Sequence, residues 1–259
     1  MIGRSALVTG AGSGIGRATA AALLGQGMIV YGLDRDEDAL HVASITAPRL
    51  RPIVCDLADL AAVDTLPQRH PEVADVDVLA NIAGALSPSD LATGQPTDWD
   101  HTLAAMLAAP MHLAALVLPG MYARRRGVVI NMGSVYAELG GDAKGGYVAA
   151  KHGLAGVTRQ IILEGAPWGV RAFLVNAAHV ESPLLDGQAE REGALLGVAP
   201  EVRRKQLAAQ IPSGRFVTAT EVAELITWLV TAAPPSLTGA ISLDGGWLAG
   251  TASGLASTW

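Results

Sequence analysis

The stretch Ser5–Gly27, SALVTGAGSGIGRATAAALLGQG, changes character twice. It begins with an apolar run typical of a buried strand, passes through a glycine-rich loop and continues as an alanine-rich helical pattern. Gly10, Gly14 and Gly16 allow the backbone to turn tightly and to approach a pyrophosphate resting on the helix N-terminus. The spacing G-x-x-x-G-x-G differs from the G-x-G-x-x-G dinucleotide fingerprint. Because turns use glycine freely, the loop alone fits a nucleotide site and a plain turn equally.

Short β-rich runs alternate with helical patterns along the rest of the chain. After the first unit come the β-rich runs MIVYGLD, RPIVCDL, VDVLANIAG, GVVINMGS, VRAFLVN and GAISLDGG. The predicted helices between them include LAAVDTLPQRH, which follows RPIVCDL, and a long helix over Trp99–Arg125. The β-rich runs are almost continuously apolar, which indicates burial on both faces of a parallel sheet. The sequence predicts an α/β protein, a doubly wound (Rossmann) parallel sheet flanked by helices, formed as a single domain by residues 1–259. Residues 182–216 are polar and helical, and we predict that they form a small lid over the ligand-binding edge of the sheet.

The composition limits the class of protein. The chain has 259 residues, of which 50% are hydrophobic and 16% charged, and its formal net charge is −6 at pH 7. This acidic balance argues against nucleic acid or an anionic membrane as a partner. The single cysteine, Cys55, excludes an intramolecular disulfide and suits a reducing compartment. The histidines lack a matching carboxylate spacing, so no metal site is predicted.

One apolar stretch, Leu103–Tyr122, has nearly the length of a membrane span. Pro110 and His112 interrupt it, however, and much of its apolar content is alanine. We interpret it as a helix buried on nearly all sides, inside the domain and at a subunit contact. Since the N-terminus shows no signal-peptide pattern, the sequence predicts a soluble cytoplasmic protein.

Two features point to a nicotinamide dinucleotide and to proton transfer. Asp34 ends the second predicted strand, where a carboxylate can accept both hydroxyls of an adenosine ribose and would repel a 2′-phosphate. This favours NAD over NADP, although the neighbouring Arg35 is a weak signal in the other direction. Tyr147 and Lys151 are four residues apart and would share a helix face. An ammonium beside a phenol favours the phenolate, so the pair suits an acid or base, while an isolated pair of this kind is more often structural.

The motifs, in this order, resemble those of the short-chain dehydrogenase/reductase family over essentially the full length. They are TGAGSGIG from Thr9, Asp34, CDL at Cys55–Leu57, NIAG at Asn81–Gly84, Ser134 thirteen residues before Tyr147, and TGAISLDGGW at Thr238–Trp247. The resemblance implies that Ser134, Tyr147 and Lys151 are catalytic. Tyr147 would exchange a proton with the substrate oxygen, which Ser134 would orient. Lys151 and the nicotinamide charge would lower the pKa of Tyr147, and Lys151 would also bind the nicotinamide ribose.

The resemblance also implies where the cofactor is held. Asp56 and Leu57 would border the adenine, and Val180 and Ser182 would contact the nicotinamide amide. Asn81, Ala83 and Gly84 would line the ribose side of the cofactor. The complete set implied for the cofactor is Gly10, Ser13, Gly14, Ile15, Gly16, Asp34, Asp56, Leu57, Asn81, Ala83, Gly84, Tyr147, Lys151, Val180 and Ser182.

The chain departs from the family pattern at two places. Met106 stands where the family has an asparagine that helps to stabilise a break in the helix, at which a backbone-bound water relays protons to the lysine. Methionine cannot replace that amide as a hydrogen-bonding group, so the relay is weakened, or the change is a packing substitution. Ala177–Ala178 stand where the family has Pro-Gly, and His179 follows. His179 is a candidate acid, substrate ligand or surface loop residue.

The sequence thus predicts an NAD-dependent oxidoreductase that interconverts a secondary alcohol and a ketone. The substrate pocket would be bounded by Ser134, Tyr147, His179 and the start of the lid at Leu184 and Leu185, which suggests a partly apolar small molecule. The alternatives are an NAD-containing enzyme without net redox change, such as an epimerase, and an NAD-binding regulator whose catalysis has decayed. Alanine- and glycine-rich helix faces suggest a homo-oligomer, either a tetramer or a dimer.

Overall fold

The computed structural model describes residues 3–45, 47–86 and 89–251. Within them, seven parallel strands form one sheet in the order β3-β2-β1-β4-β5-β6-β7. The strands are β1 Ser5–Thr9, β2 Ile29–Asp34, β3 Leu50–Val54, β4 Val78–Asn81, β5 Gly127–Met132, β6 Val170–Ala177 and β7 Gly239–Leu243. The predicted doubly wound parallel sheet is confirmed. The single-domain extent 1–259 includes positions outside the described residues and stays a prediction.

Helices cover both faces of the sheet. They are α1 Gly14–Gly25, α2 Glu37–Ile45, α3 Leu60–Asp64, α4 Leu66–Arg69, α5 Pro96–Leu103, α6 Ala109–Ala123, α7 Gly145–Gly165, α8 Pro183–Leu196, α9 Pro200–Ala209, α10 Ala219–Thr231 and α11 Trp247–Thr251. Alternate side chains of β1 enter two separate cores, as strand geometry requires. Val8 packs in the core that contains Ile226 of α10, whereas Leu7 packs in the core that contains Leu113 of α6.

Two helix predictions need correction. The segment LAAVDTLPQRH was expected to be one helix, but α3 ends at Asp64 and α4 begins at Leu66. Pro67 explains the break, because proline lacks the N–H group that a continuous helix would need there. The expected helix over Trp99–Arg125 runs instead over Pro96–Ala123 and contains a π turn, Ala104–Ala108, between α5 and α6.

The same long helix is apolar enough to satisfy a length and hydropathy test for a membrane span, with 28 residues and a mean hydropathy of 1.7. Only 39% of its most apolar window is buried within the chain. Burial of this helix within one chain is therefore partial, and the further burial expected at a subunit contact stays a prediction. The core helix of a soluble protein passes the same test, so the result is weak support for a membrane span.

The predicted insertion at residues 182–216 is helical and consists of α8 and α9. The two ends of the insertion lie side by side, because Val180 before it and Val217 after it pair in a parallel bridge. Leu185, Ala189 and Leu207 form a small core of their own, against which Phe216 packs. The insertion is thus a packed helical unit at the carboxyl end of β6, and its helical character agrees with the prediction.

Candidate active site

The candidate site is a cavity of about 320 Å³ at the carboxyl ends of the strands. The strand order reverses beside β1, where β4 follows on the side opposite β2. Doubly wound sheets bind ligands at this kind of switch point. With one exception, the sequence-predicted residues all line this cavity: Gly10, Ser13, Gly14, Ile15, Gly16, Asp34, Asp56, Leu57, Ala83, Gly84, Ser134, Tyr147, Lys151, Val180 and Ser182.

The exception is Asn81, which is buried and absent from the cavity lining. Its Nδ2 donates a hydrogen bond of 2.8 Å to Asn131 Oδ1, which ties β4 to β5. Ile82 and Ala83, the next residues, donate their N–H groups to Thr9 Oγ1 at 2.8 and 3.0 Å. The side chain of Asn81 therefore links β4 to β5 beneath the loop, and its contact with the cofactor stays a prediction.

The glycine loop forms a close cradle for an anion. Gly10 and Gly14 have positive φ values of 70° and 47°, which side chains with a Cβ rarely adopt. A Cβ on Gly16 would lie 2.0 Å from the carbonyl oxygen of Gly10. Ser13, the N-cap of α1, makes no side-chain capping bond within the described residues, and the first turn of α1 carries no acidic side chain. The backbone N–H groups at this helix end are thus suited to a pyrophosphate.

Asp34 is fixed by the backbone at the end of β2. Its Oδ2 accepts a hydrogen bond of 2.9 Å from Gly12 N, and its Oδ1 accepts one of 3.1 Å from Asp36 N. A carboxylate oxygen can accept more than one hydrogen bond, so both oxygens retain capacity for a ligand. Arg35 lines the same cavity. Asp34, which would repel the 2′-phosphate of NADP, and Arg35, which would attract it, are therefore close together.

Ser134, Tyr147 and Lys151 are brought together by β5 and α7. Ser134 follows β5 and caps a short 3-10 turn, Val135–Ala137, where its Oγ accepts a hydrogen bond of 3.3 Å from Tyr136 N. Its backbone N donates to Asn176 Oδ1 at 3.1 Å. On α7, Lys151 Nζ lies 5.4 Å from the ring centroid of Tyr147. The shared helix face that the spacing predicts is confirmed.

The pKa values differ from the sequence expectation. In the protein alone, burial raises the pKa of Tyr147, and a hydrogen bond with Ser134 is the contribution that lowers it. Burial also lowers the pKa of Lys151 to about 7. Because Lys151 is then only partly protonated near neutral pH, it is a weak source of positive charge for Tyr147. The predicted depression of the Tyr147 pKa by Lys151 is therefore not found in the chain by itself.

Met106 lies in the π turn, at the position of the expected asparagine. The turn is formed although methionine has replaced the amide. Met106 is buried and lines the cavity, and its Cε would be 3.1 Å from a Cβ placed on Gly84. The methionine thus packs against the loop after β4, and the helix break forms without an asparagine side chain.

His179 is buried in the cavity wall, so the interpretation as a surface loop residue is wrong. It is 9% exposed, and its ring lies 5.1 Å from that of Trp247 and 6.3 Å from that of Phe216. Its backbone is held by the hydrogen bond that its carbonyl oxygen accepts from Val217 N at 3.0 Å. Burial, followed by the charge of Lys144, lowers the pKa of His179 to about 4. The imidazole is therefore neutral at physiological pH.

Sequence reasoning missed several residues of the cavity. Lys144, Gln188 and Trp247 all line it. Lys144 Nζ lies 3.7 Å from Glu192 Oε1 of α8 and 5.5 Å from the ring centroid of Tyr136. A signal for Lys144 was present, since it is one of only three lysines in the chain and precedes Tyr147 by three residues.

Known proteins resemble the chain over nearly its whole length. Residues 4–193 match the family model described as short chain dehydrogenase. The chain is 34% identical over 254 residues to D-beta-hydroxybutyrate dehydrogenase of Cupriavidus necator, which covers 95% of this chain and 98% of that protein. It is 27% identical over 247 residues to the 3-oxoacyl-(acyl-carrier-protein) reductase FabG of Escherichia coli K12, with coverages of 94% and 97%.

A solved structure shows the same fold. A variant of actinorhodin polyketide ketoreductase with NADPH matches with a TM-score of 0.89 and 28% identity, over 94% of this chain and 97% of that one. The named relatives are dehydrogenases and reductases, and none of them supports an epimerase or a decayed regulator. The chain belongs to the short-chain dehydrogenase family and is an oxidoreductase that interconverts an alcohol and a ketone with a nicotinamide cofactor.

Proposed function

We propose that the chain is an NAD-dependent oxidoreductase for a secondary alcohol and the corresponding ketone, with Tyr147 as acid and base. The arrangement of Ser134, Tyr147 and Lys151 in one cavity carries this proposal. Ser134 hydrogen-bonds the side chain of Tyr147, and Lys151 lies one helical turn further along the same face. The cofactor, when bound, supplies or accepts the hydride.

Each of the three side chains has a distinct role in this proposal. The hydroxyl of Tyr147 donates a proton to the substrate oxygen in ketone reduction and accepts one in alcohol oxidation. Ser134 Oγ hydrogen-bonds the same oxygen and fixes its position relative to Tyr147. Lys151 binds the ribose hydroxyls of the cofactor and, when protonated, favours the tyrosinate.

The preference for NAD rests on the carboxylate of Asp34 in the cavity wall. It would accept hydrogen bonds from ribose hydroxyls and repel a 2′-phosphate. The related ketoreductase structure contains NADPH, so the preference needs a direct measurement. The isosteric variant Asp34→Asn removes the charge and keeps an acceptor oxygen for Gly12 N. We expect wild type to favour NADH over NADPH in kcat/KM, and Asp34→Asn to reduce that ratio by tenfold or more, about 1.4 kcal/mol.

We further propose that the substrate carries a carboxylate beside a partly apolar chain. Lys144 brings an ammonium to the cavity wall, while Leu184 and Trp247 supply apolar surface. A carboxylate placed near Lys144 would form a charge-assisted hydrogen bond. The name of the Cupriavidus necator relative states that it acts on hydroxybutyrate, which is a hydroxy acid. The described residues therefore favour a small hydroxy acid and its keto acid.

The proposed assembly and location are those that the sequence led us to expect. Met111 of α6 and Leu163 of α7 are exposed large apolar side chains of the chain, and neighbouring faces of these helices are rich in alanine and glycine. Such faces allow close helix packing between subunits. We propose a homodimer or homotetramer in the cytoplasm.

The test is nicotinamide absorbance turnover with 3-hydroxybutyrate, acetoacetate and a panel of neutral secondary alcohols and ketones. NAD(H) and NADP(H) are supplied separately, and Tyr147→Phe is measured in parallel. We expect turnover with NAD(H) that falls by at least a thousandfold in Tyr147→Phe, while NADH binding is retained. Comparable turnover in Tyr147→Phe would reject the role of Tyr147, and equal use of NADPH would reject the cofactor preference.

A further inference from the structure

A group of charged side chains lies where the lid meets the cavity. Lys144 contributes an ammonium whose side chain is only 11% exposed. Its Nζ is 3.7 Å from Glu192 Oε1 and 3.5 Å from the carbonyl oxygen of Asp142. An ammonium has three protons to donate, and both of these contacts are long for charge-assisted hydrogen bonds. Lys144 is therefore only loosely paired.

Glu192 is held by a different cation. Its Oε2 accepts hydrogen bonds from Arg203 Nε at 2.8 Å and from Arg203 Nη2 at 2.7 Å. Its Oε1 accepts one from Gln188 Nε2 at 2.8 Å. Burial acts to raise the pKa of Glu192, but the bonds from Arg203 and Gln188 outweigh it, so the pKa is lowered and Glu192 stays ionised.

The three charges leave one unit of positive charge at the cavity wall. Arg203 is 13% exposed and Glu192 25% exposed, so water screens this group less than it would screen an exposed pair. Burial, with smaller contributions from the charges of Lys144 and Arg203, lowers the pKa of His179, so this residue stays neutral. The excess charge therefore resides on Lys144, which lines the cavity.

Glu192 and Lys144 would form a closer ion pair if Arg203 did not bind the carboxylate. The attraction between two charges rises as their distance falls, and a carboxylate released by Arg203 would move from 3.7 Å toward the usual 2.7–2.9 Å of a charge-assisted bond. Such a pair would satisfy Lys144 from within the chain. A carboxylate on the substrate would then have to compete with Glu192.

We infer that Arg203 is a specificity-determining positioning residue, because it holds Glu192 away from Lys144 and so leaves Lys144 available to a carboxylate on the substrate. This inference rests on the proposed carboxylate substrate. It assigns a role to α9, which contributes no residue to the cavity lining in the described parts of the chain. Arg203 acts through Glu192 and does not itself contact the substrate.

The test compares an anionic and a neutral ligand of the same shape. The dissociation constants of butyrate and butyramide are measured by calorimetry on the complex of the full-length enzyme with NADH. We expect wild type to bind butyrate at least tenfold more tightly than butyramide. In Arg203→Met we expect butyrate binding to weaken by about tenfold, while butyramide binding changes by less than twofold.

Two further variants separate charge from structure. The double variant Arg203→Met with Glu192→Gln removes the competing carboxylate, so butyrate affinity should return to within about threefold of wild type. The single variant Glu192→Gln should bind butyrate at least as tightly as wild type. Arg204→Met is the matched control, because Arg204 lies on the same helix and pairs with Asp186 of α8. It should leave the ratio of the two affinities unchanged.

Each outcome decides a different point. If wild type shows no preference for butyrate, the proposed carboxylate substrate fails, and the inference fails with it. If wild type prefers butyrate but Arg203→Met keeps the preference, or Glu192→Gln fails to restore it in the double variant, only the role of Arg203 is overturned. If Arg203→Met does not fold, tighter or equal butyrate binding by Glu192→Gln supports the inference, and weaker binding overturns it.

Discussion

Lys151 Nζ donates a hydrogen bond of 2.6 Å to the carbonyl oxygen of Met132. Met132 is the last residue of β5 and precedes Ser134 by two positions, so this bond joins α7 to the strand that leads into Ser134. The same geometry buries the ammonium and lowers the pKa of Lys151 to about 7. A group to which the proposed function assigns a role is therefore held where its burial destabilises the fold.

We predict that Lys151→Met stabilises the protein without cofactor while it abolishes turnover. The pKa of Lys151 is about 7 in the fold, so protonation in the unfolded chain, with a pKa near 10.4, costs about 4 kcal/mol of stability at pH 7. Loss of the bond to Met132 offsets about 1–3 kcal/mol of that gain. The Tm should rise by about 5 °C.

Lys205→Met is the matched control for this change, because Lys205 is exposed on α9. Its removal should shift the Tm by about 1 °C or less. The difference in Tm between Lys151→Met and wild type should also shrink as the pH rises from 7 toward 10, because Lys151 then loses its proton in the unfolded chain as well. A Lys151→Met protein that melts below wild type at pH 7 would contradict this prediction.

We predict that Ser134→Ala shifts the pH dependence of alcohol oxidation to higher pH. The hydrogen bond from Ser134 lowers the pKa of Tyr147 against the effect of burial, so its loss should raise that pKa. Oxidation needs the deprotonated tyrosine and should therefore require a higher pH. The measurement is kcat/KM against pH for the residual activity. A lower rate with an unchanged profile would assign Ser134 to substrate orientation alone.

We predict that His179 contributes to acid sensitivity. Its pKa is about 4 in the fold and near 6.5 in the unfolded chain, which therefore takes up the proton first as the pH falls. His179 causes no loss in the free energy of unfolding above about pH 6.5. Between pH 6.5 and 4 it lowers the free energy of unfolding by about 3 kcal/mol. The groups that influence His179 are Lys144, Glu192, Arg203 and Gln210.

The variant His179→Phe isolates this contribution. It keeps an aromatic ring against Trp247 and Phe216 and removes the titrating nitrogens. Urea unfolding at pH 7 and pH 4.5 should show a smaller loss of stability for the variant than for wild type. Equal losses in both proteins would mean that other groups determine the acid response.

We predict that Gly16→Ala greatly weakens NADH binding. Its Cβ would lie 2.0 Å from Gly10 O, so the loop must move, at a cost of about 1–3 kcal/mol. Gly25→Ala, at the other end of the same helix, is the control, because its Cβ would meet no described atom within 4 Å. NADH fluorescence titration should show at least a tenfold loss for Gly16→Ala alone.

The sequence was sufficient for the features that depend on local patterns. The seven strands were predictable because each is an apolar run between helical segments, and the Tyr147–Lys151 pair because four residues match a helical turn. The glycine loop and Asp34 were predictable in position from the first β-α-β unit. These signals use residues that lie close together in the chain.

The remaining features depend on packing between distant segments. The side chain of His179 is buried by Trp247 and Phe216, which come from other parts of the chain. The role of Lys144 depends on Glu192 and Arg203 in the inserted helices. The pKa of Tyr147 is governed first by burial, which residue spacing does not measure. The hydrogen bond from Asn81 to Asn131 also joins residues that are far apart in the sequence.

The π turn Ala104–Ala108 determines the angular phase between α5 and α6. Each residue of an α-helix advances the helix by about 100°, and a π turn accommodates one residue more than a regular turn. If the same residues formed an uninterrupted α-helix instead, α6 would be rotated by about 100° relative to α5. Leu113 and Val117 would then leave the core beneath the sheet. The π turn thus sets the rotation between α5 and α6, so that α5 faces the site while α6 packs its apolar side chains in the core.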